Sequence, residues 1–212
     1  MAMQKVIPAI LTADPADLRG KLEILKGHTN WVHIDIMDGY FVPNNSVSIF
    51  ELSGVYEVFN LEFHLMVLEP EKYFRDCDEV GAKRVIFHYE ASQSIDTVLE
   101  KAHQCQFHIG MALNPETTVE KVQPYLSQVD SALCMGIDPG FQGKEFIPDT
   151  MQKIPQIRFQ RRDILVGMDG GVKEENIRDI FAAGADYAVV GSGIWKSHDP
   201  ADSLKKLQEI VQ

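Results

Sequence analysis

Short apolar runs alternate with longer amphipathic stretches along the whole chain. The short runs predict β-strands over residues 6–11, 31–37, 61–67, 84–88, 107–113, 131–137, 164–169 and 187–191. The amphipathic stretches predict helices over residues 17–26, 47–59, 71–80, 95–104, 119–126, 149–158, 174–183 and 202–211. Pro70 and Pro148 suit helix starts, and Gly27, Gly81 and Gly184 suit helix ends.

Each predicted strand is followed by a predicted helix, with no low-complexity linker between the units. This order favours a closed parallel sheet over an open one, that is, an α/β fold of the (β/α)₈ or TIM-barrel type. At 212 residues the chain lies near the lower end of the usual size range of such barrels. We therefore predict a single barrel domain over residues 1–212.

The second predicted strand carries chemistry on one of its faces. Alternation along a strand places Ile34 and Ile36 on one face and His33, Asp35 and Met37 on the other. The apolar face indicates a strand covered by helices. Because an ionised group is costly to bury unless it is paired or bound to a metal, the polar face is predicted to line an interior site.

Active sites of such barrels lie at the carboxyl ends of the strands. His33, Asp35, His64 and Asp169 come from three predicted strands and could converge there on one divalent cation. Two imidazoles and two carboxylates suit zinc, iron, manganese or cobalt, so the metal stays open. The alternative is a pair of ordinary core histidines with loop-capping aspartates, but four such residues at strand ends favour a metal site.

Glycine-rich turns follow the seventh and eighth predicted strands. Loops at these positions often bind phosphate through backbone N–H groups, which glycine allows to approach an anion closely. We therefore predict a phosphate site at Gly170, Gly171, Gly191 and Ser192. The alternative is a pair of plain tight turns.

The stretch 139–144, Pro-Gly-Phe-Gln-Gly-Lys, follows the sixth predicted strand. It is interpreted either as a lid that closes over a substrate or as an ordinary surface loop. Met37, Met66 and Met135 lie at or near the ends of three strands. Methionine is usually core filler, but these three are predicted to form an apolar wall of the substrate pocket.

The formal net charge of -11 argues against a nucleic-acid partner, which would require clustered Lys and Arg. Cys77, Cys105 and Cys134 are widely spaced and form no Cys-x-x-Cys pair, which favours reduced thiols in the cytoplasm. The apolar stretch near the amino terminus is too short for a signal sequence or a membrane span, so we expect no membrane partner.

Several motifs resemble those of the ribulose-phosphate 3-epimerase family. The most specific is His-Ile-Asp-Ile-Met-Asp-Gly-Tyr-Phe-Val-Pro-Asn at residues 33–44. Others stand at residues 64–67, 88–91, 112–115, 135–141, 169–172 and 183–186, in the order of the family. The matches run from Pro8 to Trp195, although the glycine-rich pieces are weak when taken alone.

The resemblance implies a barrel of the ribulose-phosphate-binding type that interconverts D-ribulose 5-phosphate and D-xylulose 5-phosphate. It implies that Asp35 and Asp169 are the acid and the base, and that both bind the metal together with His33 and His64. It also implies that the three methionines cap a planar intermediate and that the phosphate site includes Gly143. A homo-oligomer in the pentose phosphate pathway is implied as well.

Some positions depart from the family pattern. Ala9 stands where the family usually has serine, Gln142 and Lys144 change the usual Gly-Phe-Gly-Gly-Gln lid, and Trp195 replaces a more usual phenylalanine. The stretch after Asn44 also lacks the usual Ile-Thr-Phe-Gly. None of these departures falls on a predicted metal ligand, so they bear on the substrate more than on the reaction.

Three alternatives therefore stay open. The same epimerisation could act on another ketose phosphate, such as a hexulose 6-phosphate. A related barrel could act as a hexulose-phosphate synthase-like aldolase, although the retained histidines and the Phe-Val-Pro-Asn run argue for the epimerase. A catalytically silent paralogue could bind a sugar phosphate, but it would need neither Asp35 nor Asp169.

Overall fold

Parallel strands close into an eight-stranded barrel in the computed structural model, which describes residues 5–212. The strands are β1 (Val6–Ile10), β2 (Trp31–Met37), β3 (Asn60–Met66), β4 (Ala82–His88), β5 (His108–Leu113), β6 (Ser131–Met135), β7 (Leu165–Asp169) and β8 (Tyr187–Val190). Each strand pairs with the next in sequence, and β8 pairs with β1 to close the sheet. The predicted fold class is confirmed.

Helices pack around this barrel. The α-helices are α1 (Pro15–Leu25), α2 (Phe74–Glu79), α3 (Ile95–Ala102), α4 (Val119–Val122), α5 (Lys153–Gln160), α6 (Ile177–Ala182), α7 (Ser192–Trp195) and α8 (Pro200–Ile210). Short 3₁₀-helices lie at Ile49–Leu52, Val55–Glu57, Pro70–Lys72, Tyr89–Ala91, Gln123–Gln128 and Pro148–Gln152. Within residues 5–212, no helix has the length and apolar character that crossing a membrane requires.

The predicted helix over residues 47–59 is wrong. Two 3₁₀-helices take its place, Ile49–Leu52 and Val55–Glu57. Gly54 stands between them with a φ of +79°, a left-handed conformation that no α-helix contains. The first of these turns buries Ile49 and Leu52, whereas the second buries none of its residues.

The other glycine signals are confirmed. Gly27, Gly81 and Gly184 have φ values of 78°, 78° and 104° and end helices α1, α2 and α6. One helix was not predicted. Helix α7 directly follows β8, and its four residues are too few to show helical periodicity.

The main apolar core lies between the strands and the helices, and it contains Ile34 and Ile36 from the outer face of β2. A smaller cluster fills the barrel interior, with Ile86 and Tyr187 among its members. The β2 strand is thus apolar on its outer face and polar on its inner face, as its alternation predicts. This arrangement places His33 and Asp35 inside the barrel.

Candidate active site

All four predicted metal ligands converge inside the barrel. Ligand atoms of His33, Asp35, His64 and Asp169 all lie within 4.8 Å of one another. In the register of β2 and β3, Asp35 lies opposite His64, and His64 Nδ1 is 3.1 Å from Asp35 Oδ1. Barrel closure brings in β7, so that Asp169 Oδ2 lies 3.5 Å from His64 Nδ1 and 3.9 Å from His33 Nε2.

The donor set fits a divalent cation. Both histidines are inaccessible to solvent, and the buried Nε2 atom of His33 has no hydrogen-bond partner. That atom lies 3.3 Å from Asp35 Oδ1, so an unused nitrogen donor and a carboxylate lie side by side. Two nitrogen and two oxygen donors are compatible with zinc, iron, manganese or cobalt.

The two aspartates have opposite pKa shifts in the metal-free site. Burial alone would raise the pKa of Asp35, but the adjacent His33 ring and the hydrogen bond with His64 outweigh it and lower this pKa to about 2. Burial raises the pKa of Asp169 to about 7, and the nearby Asp35 carboxylate adds to the rise. Near neutral pH one carboxyl is therefore ionised while the other is partly protonated.

The floor of the site contains a buried carboxylate that the sequence analysis missed. Glu62 Oε1 lies 2.5 Å from His33 Nδ1, and Glu62 Oε2 forms an ion pair with Arg84. Strand alternation could have found both residues, because Glu62 lies two positions before His64 and Arg84 lies inward on β4. A charged residue on an inward face is a signal in itself.

A second polar chain lies behind His64. His64 Nε2 is 2.8 Å from His88 Nε2, and His88 Nδ1 is 3.4 Å from Glu90 Oε2. Glu90 is held in turn by the Asn114 N–H and the Thr117 hydroxyl, which donate to its Oε1. The sequence places His88 and Glu90 at the end of β4, and the structure aligns them behind His64.

The cavity above the cluster opens to solvent, and about 40 Å³ of it is open to the centre of a water-sized sphere. Met37, Met66 and Met135 are nearly buried and line it beside Asp35 and Asp169. The predicted phosphate residues line the same cavity: Gly143, Gly170, Gly171, Gly191 and Ser192.

The loop after β6 covers one side of this cavity. Asn44 Nδ2 donates to the Gly140 carbonyl at 2.9 Å and ties the loop to the segment after β2. Gln142 reaches inward, where a Cβ atom placed on Gly191 would lie 2.7 Å from its Nε2. Lys144 Nζ instead donates to the Asp138 carbonyl, so its cation is used within the loop.

Two of the departures from the family pattern lie in contact. The indole N–H of Trp195, at the end of α7, donates to the Ala9 carbonyl at the end of β1, at 2.5 Å. Ala9 lines the cavity and offers no hydroxyl. Compared with a serine and a phenylalanine, the rim between β1 and β8 therefore loses a hydroxyl group at Ala9 and gains an indole N–H, which the Ala9 carbonyl accepts.

Fold and site together define a barrel enzyme with an interior His/Asp cluster at the carboxyl ends of its strands. The chain matches the model of the Ribulose-phosphate 3 epimerase family over residues 5–195. It is 30% identical to a ribulose-phosphate 3-epimerase of Schizosaccharomyces pombe, with 100% of this chain and 95% of the relative covered. Identity to the Bacillus subtilis ribulose-phosphate 3-epimerase is 31%, covering 97% and 99%. The chain belongs to the ribulose-phosphate 3-epimerase family.

Solved structures support the fold. A 3-hexulose-6-phosphate synthase superposes with a TM-score of 0.74 at 16% identity, covering 97% of this chain and 99% of that one. An orotidine 5'-phosphate decarboxylase from Pyrococcus horikoshii superposes with a TM-score of 0.71 at 13% identity, covering 97% and 98%. At such identities the likeness extends to the barrel alone.

Proposed function

We propose that this enzyme interconverts D-ribulose 5-phosphate and D-xylulose 5-phosphate by proton transfer between two aspartates. The observation that carries the proposal is the placement of Asp35 and Asp169. Their carboxylates come from β2 and β7, belong to one cluster, and line one cavity. Membership of the family supports this substrate, and the full-length relatives bear its name.

His33, Asp35, His64 and Asp169 would hold one divalent cation. When bound, the cation would act as a Lewis acid toward the substrate oxygens and stabilise the negative charge that develops there. Which of the four compatible metals is native stays open.

The two aspartates perform the proton transfers. The ionised carboxylate takes the proton from C3 of the substrate, which leaves a planar enediolate carbon. The other carboxyl then donates its proton to the opposite face of C3, and the configuration is inverted. This division requires one of the two carboxyl groups to be ionised and the other protonated when the substrate binds. In the reverse reaction the two roles exchange.

The remaining cavity residues orient the substrate. Met37, Met66 and Met135 provide an apolar, polarisable wall against the planar carbon. The backbone N–H groups of Gly143, Gly170, Gly171, Gly191 and Ser192 would hold the phosphate. The lid, with Gln142 directed inward, would keep water from the reacting carbon. A homo-oligomeric enzyme in the cytoplasm remains our expectation.

Substitution of each aspartate tests this proposal. We expect Asp35→Asn and Asp169→Asn each to lower kcat for pentulose 5-phosphate epimerisation by about 10²- to 10⁴-fold, since each removes a proton carrier. Asp163→Asn is the matched control, because Asp163 is exposed and pairs with Arg161 just before β7, at the other end of the barrel. Retention of activity within tenfold by either site variant would contradict the two-aspartate mechanism.

The substrate needs a separate comparison. A panel of pentulose 5-phosphates and hexulose 6-phosphates, assayed with each candidate metal, should show by far the highest kcat/KM for ribulose 5-phosphate. Gln142 is the lid side chain that could change this preference, because it reaches into the cavity. Faster turnover of a hexulose 6-phosphate would contradict the proposed substrate but leave the chemistry intact.

A further inference from the structure

An ion pair fills the barrel floor directly beneath the ligand cluster. Glu62 is inaccessible to solvent and Arg84 is 3% exposed. The Nε and Nη2 atoms of Arg84 both contact Glu62 Oε2, while Glu62 Oε1 lies 2.5 Å from His33 Nδ1. One carboxylate thus joins a guanidinium group to the ring of a proposed metal ligand.

Aromatic rings hold the guanidinium group in place. Arg84 Cζ lies 4.4 Å from the ring centroid of Tyr187 and 5.0 Å from that of Trp31. Both distances are within the range of cation–π interactions. A Cβ atom on Gly167 would overlap the Tyr187 ring, so the neighbouring strand leaves room for this stack. Arg84 therefore has little freedom to move away from Glu62.

Stability alone does not account for this pair. Apolar residues of similar volume often serve a protein core as well as a buried ion pair or better, because burying two charges carries a large desolvation penalty. The contact with His33 suggests another reason. A histidine that binds a metal through one ring nitrogen commonly donates the other N–H to a carboxylate, which fixes the orientation and tautomer of the ring.

The geometry at His33 agrees with that pattern. Glu62 accepts the hydrogen bond from Nδ1, and the opposite nitrogen, Nε2, is buried without a hydrogen-bond partner beside Asp35 and Asp169. A ring rotated away from Glu62 would direct Nε2 away from these carboxylates. The Glu62 contact and the direction of Nε2 are therefore coupled.

We propose that Glu62 and Arg84 are positioning residues of the metal centre. Arg84 fixes the Glu62 carboxylate, and Glu62 holds the His33 ring with Nε2 directed at the cation. The inference rests on the proposed metal centre. It makes Arg84, which belongs neither to the ligand cluster nor to the cavity lining, a determinant of metal affinity.

Two variants separate positioning from stability, and Co²⁺ is the probe because its visible absorption reports ligand geometry. In Arg84→Met, Glu62 loses its cation and its fixed orientation, so we expect the Kd for Co²⁺ to rise about 10- to 100-fold and the absorption band to change. In the double variant Glu62→Met/Arg84→Met no charge is left unpaired, so the Tm of the metal-free protein should return to the wild-type value or exceed it. Its Co²⁺ affinity should stay low, because His33 still lacks its carboxylate.

Arg158→Met is the matched control. It breaks a partly buried ion pair with Asp186, which lies next to β8 and outside the ligand cluster. We expect this variant to lower Tm while leaving the Co²⁺ affinity and spectrum at their wild-type values.

The outcomes distinguish this inference from the proposed function. Wild-type Co²⁺ affinity and spectrum in the double variant would show that the pair is only structural, and would overturn the inference while leaving the epimerase proposal in place. Failure of the wild-type protein itself to bind Co²⁺, Zn²⁺, Mn²⁺ or Fe²⁺ would overturn both.

Discussion

Asp35 and Asp169 carry the same side chain, and their surroundings give them different proton affinities. Two imidazoles keep Asp35 ionised, whereas burial beside a second carboxylate raises the pKa of Asp169 to about 7. His33 also differs from an ordinary histidine. Burial alone would lower its pKa, but the adjacent Asp35 carboxylate and the hydrogen bond with Glu62 outweigh this and raise the pKa to about 10. Without a metal, His33 is therefore protonated near neutral pH and Asp169 is partly protonated.

The protonation states of the proposed ligands predict the pH dependence of metal binding. A cation needs the lone pair of His33, so binding must displace a proton from this ring. Asp169 can bind the cation through one oxygen and keep a proton on the other, as the proposed acid requires. Below about pH 10 the logarithm of the association constant should therefore rise by about 1 per pH unit. Zinc titrations in a competing chelator measure this, and a flat profile between pH 6 and 9 would contradict it.

Residue-level reasoning found the proposed metal ligands more readily than the residues proposed to position them. The motif at residues 33–44 and the period of two along β2 locate His33 and Asp35 without any structure. Glu62 and Arg84 were not predicted because they lie in the first halves of their strands, away from the carboxyl ends where active-site residues are expected. That they meet beneath His33 depends on the register between β2, β3 and β4, which the sequence does not state.

At the scale of secondary-structure elements, two turns contain a glycine in the left-handed backbone conformation. Gly171 follows β7 with a φ of +69°, and a Cβ atom there would lie 2.9 Å from the backbone Cα of Phe146. Gly54 has a similar φ of +79°, but no atom lies within 4 Å of its Cβ position. The two glycines therefore share a backbone conformation and differ in their surroundings.

Replacing each glycine with alanine separates conformation from contact. Gly54→Ala should lower the free energy of unfolding by about 1–2 kcal/mol through backbone strain alone. Gly171→Ala should cost about 1–3 kcal/mol more because of the clash, and should raise KM because the phosphate turn shifts. Urea unfolding and steady-state kinetics measure the two effects. Equal losses of stability with an unchanged KM in Gly171→Ala would contradict the role of this turn.

The elements also show where periodicity fails. An amphipathic pattern does not distinguish one α-helix from two 3₁₀-helices, and Gly54 is the residue that divides residues 47–59. The strand prediction was better, since all eight strands were found within two residues at either end. The regular alternation of short apolar runs with amphipathic stretches is what located the strands.

At the scale of the whole molecule, the site depends on closure of the barrel. The proposed ligands lie on β2, β3 and β7, and β7 reaches the other two strands only because β8 pairs with β1. The repeated β-then-α order is enough to predict that closure, and so to predict convergence of distant residues. It does not predict which inward residues meet at each level, because this depends on the stagger of the strands.

Because the ligands come from distant strands, metal binding should stabilise the entire fold. At a free metal concentration about 1,000 times Kd, the gain is about 4 kcal/mol. For a chain of this size that corresponds to a rise in Tm of roughly 8–16 °C, which calorimetry with and without chelator measures. His64→Gln should lose most of this rise, whereas the exposed His103→Gln should keep it. An unchanged Tm on chelation would argue against a metal in the barrel.

Deuterium exchange from D₂O into ribulose 5-phosphate tests the central claim most directly. We predict metal-dependent incorporation at C3 together with formation of xylulose 5-phosphate, and loss of epimerisation in both Asp35→Asn and Asp169→Asn. Exchange at C3 without xylulose 5-phosphate in the wild type would mean that the second proton carrier does not act. In metal-loaded protein, no exchange with any pentulose or hexulose phosphate would contradict the account and favour a catalytically silent sugar-phosphate-binding protein.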